Sequence, residues 1–178
     1  MIIQNDPLIK LSISATTRPQ RPQEVQGQHY FFVTKEEFGE LDFLEHATVF
    51  NHDYGTPKKM VEDELQKGSC VLFDIDWQGA RQIKEKFERD SVVSIFILPP
   101  SMQELERRLR ARASDPEEVM QDRMHKARAE ISHYDEYDFI LVNDDLNNTY
   151  QKIRAIIEAK RVARQNQQDI RKLISQFL

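Results

Sequence analysis

Cys70-Val71-Leu72-Phe73-Asp74-Ile75-Asp76-Trp77-Gln78-Gly79 opens as a continuous apolar run and stops at two carboxylates and a glycine. With no polar residue interrupting it, the run reads as a strand buried on both faces, the kind that parallel sheets contain. In open α/β sheets ligands bind at the carboxyl ends of such strands, where carboxylates can hold a magnesium ion or a ligand's donor groups. Alternate spacing puts Asp74 and Asp76 on one side with Ile75 opposite. A purely structural role, capping a helix over 79–87, competes for Asp76 more than for Asp74.

Downstream, residues 92–98 predict the next buried strand, stopped by Pro99-Pro100. Ser101 and Glu104 form a capping box that opens a helix with Leu105 and Leu109 on one face and arginines around the others. Ala113-Ser114 breaks it, and Asp115, Pro116 and Glu118 restart a helix that carries Val119, Met120, Met124, Ala127 and Ile131 inward. Arg112 and Arg123 flank this hairpin. Arginine-rich helix pairs are most often solvated surfaces, but a small arginine-bearing hairpin near a ligand edge can also act as a lid over phosphates. Residues 139–142 predict a third buried strand, ending in Asn143, and a long amphipathic helix follows with apolar residues as far as Phe177. Strands alternating with helices imply parallel βαβ units, hence a three-layer α/β domain.

Upstream, residues 8–13 alternate, with Ile9, Leu11 and Ile13 facing one way. The strand ends at Ser14, Thr16 and Thr17, and Pro19 and Pro22 then hold the chain extended as far as Tyr30. Arg18 and Arg21 are thereby set on a stiff loop. Arginine presents a planar fork of donors that matches phosphate, so the pair beside hydroxyls resembles a phosphate clamp, against the plainer reading of a solvated polar turn. Thr34 with Glu37 predicts a capped short helix, residues 42–47 an extended piece, and Thr56-Pro57 the start of a helix with proline first and Gly68 just past its end.

The 178 residues suffice for one domain, and 39% hydrophobic with 31% charged is an ordinary globular composition. A net charge of -5 gives no general electrostatic reason to bind nucleic acid or anionic membrane. Seven Lys and Arg after Tyr150 make the C-terminal segment basic, but no aromatic interleaves them as a base-stacking groove requires. One cysteine, Cys70, and histidines without ligand spacing argue against disulfides and structural zinc and fit a reducing cytoplasm. No apolar run approaches membrane-spanning length, and the N-terminus has no signal-peptide pattern.

Taken together, Ser-Ala-Thr-Thr-Arg-Pro-Gln-Arg-Pro, Gly-Gln-His-Tyr-Phe-Phe, Phe-Leu-Glu-His-Ala, Tyr-Gly-Thr, Asp-Ile-Asp-Trp-Gln-Gly, Ile-Leu-Pro-Pro-Ser and Val-Asn-Asp-Asp resemble guanylate kinase of the bacterial type over nearly the whole chain. The resemblance implies a P-loop-kinase-like parallel-sheet fold of the nucleoside monophosphate kinases, one domain over 1–178 with a GMP-binding subdomain at about 14–56 and a lid at 110–130. It implies transfer of the γ-phosphoryl group of ATP to GMP, with Mg2+ accompanying ATP, in the cytoplasm, and it admits a homo-oligomer. By the same resemblance Arg18, Arg21, Tyr30 and Tyr54 hold the GMP phosphate, while Ser14, Glu45, Thr56 and Asp76 read guanine or its ribose side. Asp74 serves the magnesium network, Arg112 and Arg123 are lid arginines that reach ATP, and Asn143 lies beside adenine. Phosphoryl transfer needs mainly positioning and charge neutralisation, which such a set supplies.

The departures carry expectations too. A Gly-x-x-x-x-Gly-Lys phosphate loop needs two glycines five apart. Here the nearest two, Gly68 and Gly79, are eleven apart. The family's first strand, loop and helix are therefore expected to be missing, with impaired catalysis, exposed apolar surface and unpaired strand edges. The alternative is a non-catalytic GMP-binding or protein-interaction module of the same fold. The segment between Phe38 and Phe43 is shorter than the family pattern by roughly four residues, about one helical turn. Asp53 stands where a second tyrosine is usual.

Overall fold

The alternation of residues 8–13 yields only three residues of strand, because the hydroxyl-rich stretch that follows turns the chain into another sheet. The computed structural model describes residues 1–49, 51–112, 117–163, 170 and 173–178, Arg112 through its backbone only. The chain divides into two compact units, Met1–Glu88 and Arg89–Leu178.

In the first unit, α1 (Ile2–Asn5) leads into β1 (Ile9–Leu11), followed by β2 (Ala15–Thr16), β3 (Phe31–Phe32), α2 (Lys35–Gly39), β4 (Phe43–Val49), β5 (His52–Pro57), α3 (Lys58–Gln66), β6 (Cys70–Leu72) and α4 (Trp77–Lys86). β1 and β6 pair in parallel, Ile9 opposite Cys70 and Leu11 opposite Leu72. The other sheet runs β3-β2-β5-β4, with β3 parallel to β2 and the rest antiparallel. Ala15, Leu44, Ala47, Val61 and Ile83 form its buried core. The capping box of α2 has both expected bonds: Glu37 N–H donates to Thr34 Oγ1 at 3.1 Å, and Thr34 N–H donates to Glu37 Oε2 at 2.7 Å. Pro57 is the last residue of β5 and the N-cap of α3 rather than its first helical residue, while Gly68, at φ 81, does follow the helix end.

In the second unit, β7 (Ile95–Leu98), α5 (Met102–Arg112), α6 (Glu117–Ile131), β8 (Phe139–Val142) and α7 (Leu146–Val162) follow in order. β7 and β8 are parallel neighbours, Ile95 opposite Phe139 through Leu98 opposite Val142. Their entry is tied by Asp138, whose Oδ2 accepts from both Ser94 N and Ser94 Oγ at 2.8 Å. Asp145 caps α7 by accepting from Asn148 N at 2.8 Å.

Several expectations need correcting. The three apolar runs are strands, but they are not buried on both faces: Cys70, Ile97, Phe139, Ile140 and Val142 are exposed. Each belongs to a two-stranded ladder among the described residues, so its sheet gives it one hydrogen-bonded neighbour instead of two. Ile9 is buried and Lys10 exposed as the alternation over residues 8–13 requires, but Leu11 is exposed and Ser12 buried, so the alternation fails from Leu11 on. On α6 Met120 is buried but Val119 is exposed. Helix α7 stops at Val162, where Ala163 turns extended, so the helix expected to run on toward Phe177 is interrupted, although Ile170, Leu173 and Ile174 are again helical. Glu104 N–H donates to Ser101 Oγ, but its carboxylate accepts from Arg107 and Arg108, so only half of that capping box forms among the described residues. Residues 113–116, where a helix break and restart are expected, lie outside the described residues. No helix among the described residues is long and apolar enough to cross a membrane.

Candidate functional site

Arg18 leaves the end of β2 into the proline-stiffened loop and is held there by an acid from the same loop. Its Nη1 and Nη2 donate to the two oxygens of Glu24 at 3.0 and 2.7 Å, and Nη1 also donates to the Pro19 carbonyl at 2.7 Å. The pair is well shielded, at 13% and 15% side-chain exposure. The rings of Tyr30 and Phe32 lie 5.5 and 5.7 Å from the guanidinium carbon, within cation–π range. Tyr54, on β5, meets Tyr30 edge-on at 5.9 Å. The Arg18 hydrogen bond holds the Glu24 carboxyl down to about 2, and Glu24 in turn raises Arg18, with the Tyr54 phenol adding in the same direction. Burial pushes the Tyr30 phenol up, and the charges of Tyr54 and Asp74 add to the effect. Arg18, Tyr30 and Tyr54 thus form one group, with the exposed Asp74 in electrostatic reach.

Arg21 is exposed, yet its backbone N–H donates to Glu24 Oε2 at 2.8 Å, so one carboxylate ties down both arginine positions. Ser14, half-buried, accepts Phe31 N–H on its carbonyl at 2.9 Å and stands at the head of β2. Asp53 accepts from Thr48 Oγ1 at 2.8 Å, and its N–H donates to Thr17 Oγ1 at 2.9 Å, which ties β5 to the loop. A guanidinium offers five N–H donors. Three are engaged by Glu24 and Pro19, so Arg18 keeps capacity for an anion's oxygens beside the phenols of Tyr30 and Tyr54.

The same sheet carries a buried acid. Glu45 on β4 is 3% exposed and lies opposite Thr56 of β5, itself fully buried. Thr56 Oγ1 donates to Glu45 Oε1 at 2.5 Å. Burial pushes the Glu45 carboxyl up; the Thr56 bond opposes this and the charge of Asp76 adds to it. Asp76 is the N-cap of α4, its Oδ1 accepting from Gly79 N and its Oδ2 from Gln78 Nε2, both at 3.0 Å. The capping role and a place beside Glu45 are therefore held by the same residue. A carboxylate in such a setting accepts from paired N–H groups, as the N1 and N2 edge of guanine presents them.

In the second unit Asn143 follows β8. Its side-chain oxygen accepts from Thr149 Oγ1 at 3.2 Å and its carbonyl from Arg108 Nη2 at 3.1 Å. Asn143 and Arg108 line a pocket of about 160 Å³ together with Ile97, Leu98, Pro99, Leu105 and Leu109. Arg123 is half-buried on α6 and engaged with neighbours. Arg112 ends α5, and its side chain lies outside the described residues.

Sequence reasoning passed over Glu24 and Gly79. Glu24 is an acid among basic and proline residues, six positions from Arg18, and that local charge contrast was a usable signal. Gly79 gave none, since its close approach to Glu45 depends on β4 packing against α4.

A family model described as Guanylate kinase matches residues 2–160. The chain is 49% identical over 180 residues to the guanylate kinase of Paramagnetospirillum magneticum, covering 99% of this chain and 84% of that one. It is 54% identical over 167 residues to the guanylate kinase of Rickettsia bellii, covering 92% and 86% respectively. Among solved structures, the crystal structure of guanylate kinase from Anaplasma phagocytophilum is similar at a TM-score of 0.81 and 40% identity, over 95% of this chain and 85% of that one.

Proposed function

The chain belongs to the guanylate kinase family, whose reaction moves a phosphoryl group from ATP to GMP, and from that premise we propose which residues do which part of the work. One observation carries the assignment: a single sheet, β3-β2-β5-β4, presents both the guanidinium with its two phenols and the buried carboxylate. A nucleoside monophosphate needs both, an anion clamp for its phosphate and an acceptor for its base.

Arg18, Arg21, Tyr30 and Tyr54 hold the GMP phosphate. Glu45, fixed by Thr56, accepts from guanine N1 and N2, which adenine does not present in that arrangement; Asp76 and Ser14 complete the base and ribose side. Arg112 and Arg123 bring charge to the transferring group, and Asn143 with its apolar pocket takes the adenine edge of ATP. Magnesium, bound with ATP, neutralises phosphate charge. No three His, Cys, Asp or Glu side chains are grouped as ligands among the described residues. The exposed Asp74 carboxylate is the side chain that would serve a magnesium ion brought in with ATP.

A second reading, a GMP-binding module without kinase activity, draws on one observation: these 178 residues contain no Gly-x-x-x-x-Gly-Lys. Calorimetry with GMP, AMP and ATP, each with magnesium, separates the two. GMP bound in preference to AMP is expected in both; ATP binding with turnover selects the kinase, and GMP binding without ATP selects the module. Equal binding of GMP and AMP would overturn the assignment of Glu45.

A further inference from the structure

We propose that Gly79 is a positioning residue for base selection, the absence of its side chain being what lets the Glu45 carboxylate stand where it does; the link to base choice rests on the GMP reading above. A Cβ built on Gly79 lies 2.5 Å from Glu45 Oε2, 3.1 Å from Glu45 Cδ and 3.2 Å from Ile75 Cβ. The first distance is well inside van der Waals contact, and Ile75 Cβ crowds the added carbon as well, so something must move if a methyl is added.

Three sets of contacts decide what moves. Gln82, one turn on from Gly79, donates through Nε2 to the His46 carbonyl at 2.8 Å and accepts His46 N–H on Oε1 at 3.1 Å, pairing with the strand edge as another strand would. Lys86 Nζ reaches the Phe43 carbonyl at 3.2 Å. At the helix start, Gly79 N–H is already held by Asp76 at 3.0 Å. Helix α4 is thus fastened to β4 on both sides of Glu45 and at its own cap. The strand cannot retreat either, since β4 is laddered to β5 through Glu45 and Thr56. The mobile partner is the Glu45 side chain, and its displacement breaks the Thr56 bond and carries the acceptor off the guanine edge.

The test uses the whole chain and measures binding of GMP and IMP, which differ by the 2-amino group, together with melting temperature. The wild type is expected to prefer GMP over IMP by about tenfold or more, the loss of one hydrogen bond to a charged group. Gly79→Ala is expected to bring that ratio to within roughly threefold of unity, leaving the phosphate contribution common to both ligands. Glu45→Asp shortens the side chain by one carbon, so the Gly79→Ala/Glu45→Asp pair is expected to lose less in GMP binding and in melting temperature than the two single changes add up to. A Gly79→Ala chain with the wild-type GMP to IMP ratio, or a double variant whose losses are additive, overturns the proposal. Should Gly79→Ala fail to fold, Gln82→Ala takes its place: a reduced GMP to IMP ratio supports the fastening of α4, and an unchanged one overturns it. A wild type that binds no GMP sinks the GMP reading instead, and the melting-temperature coupling of Gly79 and Glu45 then decides the positioning claim by itself.

Discussion

Glu24 and Glu45 are two acids in one unit that titrate in opposite directions. Glu24, held down to about 2 by Arg18, contributes stability that is complete above the ordinary carboxyl value of 4.5 and is lost as pH falls from there toward 2. Glu45, pushed up by burial, contributes stability that is complete below that ordinary value and is lost as pH rises through its raised folded value. Glu24→Gln is therefore expected to lower the melting temperature at neutral pH and to approach the wild type near pH 2, whereas Glu45→Gln raises it at neutral pH. Equal shifts at both ends of the titration would contradict this. With Glu45 in its proposed role GMP binding needs that carboxyl ionised, so affinity should fall on acidification starting above the range of an ordinary carboxyl, and Glu45→Gln should remove that part of the pH dependence in calorimetry. Glu24→Gln should also weaken GMP binding about tenfold, because the ion pair keeps Arg18 in place, a loss equivalent to roughly 1.4 kcal/mol. Tighter binding would mean instead that Glu24 competes with phosphate. At this scale the sequence displayed the arginines and the stiffening prolines, since their chemistry is local. It hid the partner of Arg18, because a fork-to-fork pair across six residues depends on a loop path that composition does not specify.

Among the elements, the capping signals were the most legible. Thr34 with Glu37, and Asp76, cap helices as their positions in the sequence suggest, since a cap needs only its own residue and backbone within one turn. Burial was the least legible: an apolar run says that a strand forms but not how many neighbours cover it, and β6, β7 and β8 came out half-exposed. Asp76 joins both scales, which gives a way to separate its duties. Asp76→Ala should destabilise the first unit by about 1 kcal/mol through the lost cap, and Asp76→Asn, an equally good cap, by much less. Both should lose guanine selectivity if the carboxylate acts beside Glu45, and denaturant melts run with GMP titrations on the two variants read cap and ligand contributions independently. Retained selectivity in Asp76→Asn would leave the residue as a cap alone.

At the scale of the molecule, the apolar runs that announced a parallel sheet end as two separate ladders, β1 with β6 and β7 with β8. Unpaired strand edges with apolar faces invite association. Ile97, 48% exposed, and Val142, 44% exposed, are the positions to probe. Ile97→Lys and Val142→Lys should change stability by only about 0.5 kcal/mol in denaturant melts and leave GMP binding unaltered in calorimetry. The family was legible because its motifs are short and contiguous; the division into Met1–Glu88 and Arg89–Leu178 was not, because it depends on which long-range contacts form. That division has a consequence for how the protein is made. Every residue proposed for GMP, from Ser14 to Asp76, belongs to the earlier unit, so these residues leave the ribosome before most of the second unit has been translated. At about 5–20 residues per second, the remaining half takes roughly 5–18 s to synthesise. During that interval GMP itself can act as a folding ligand for a nascent chain, and ribosomes stalled after residue 120 should carry an N-terminal half that resists protease more strongly when GMP is present than when AMP is.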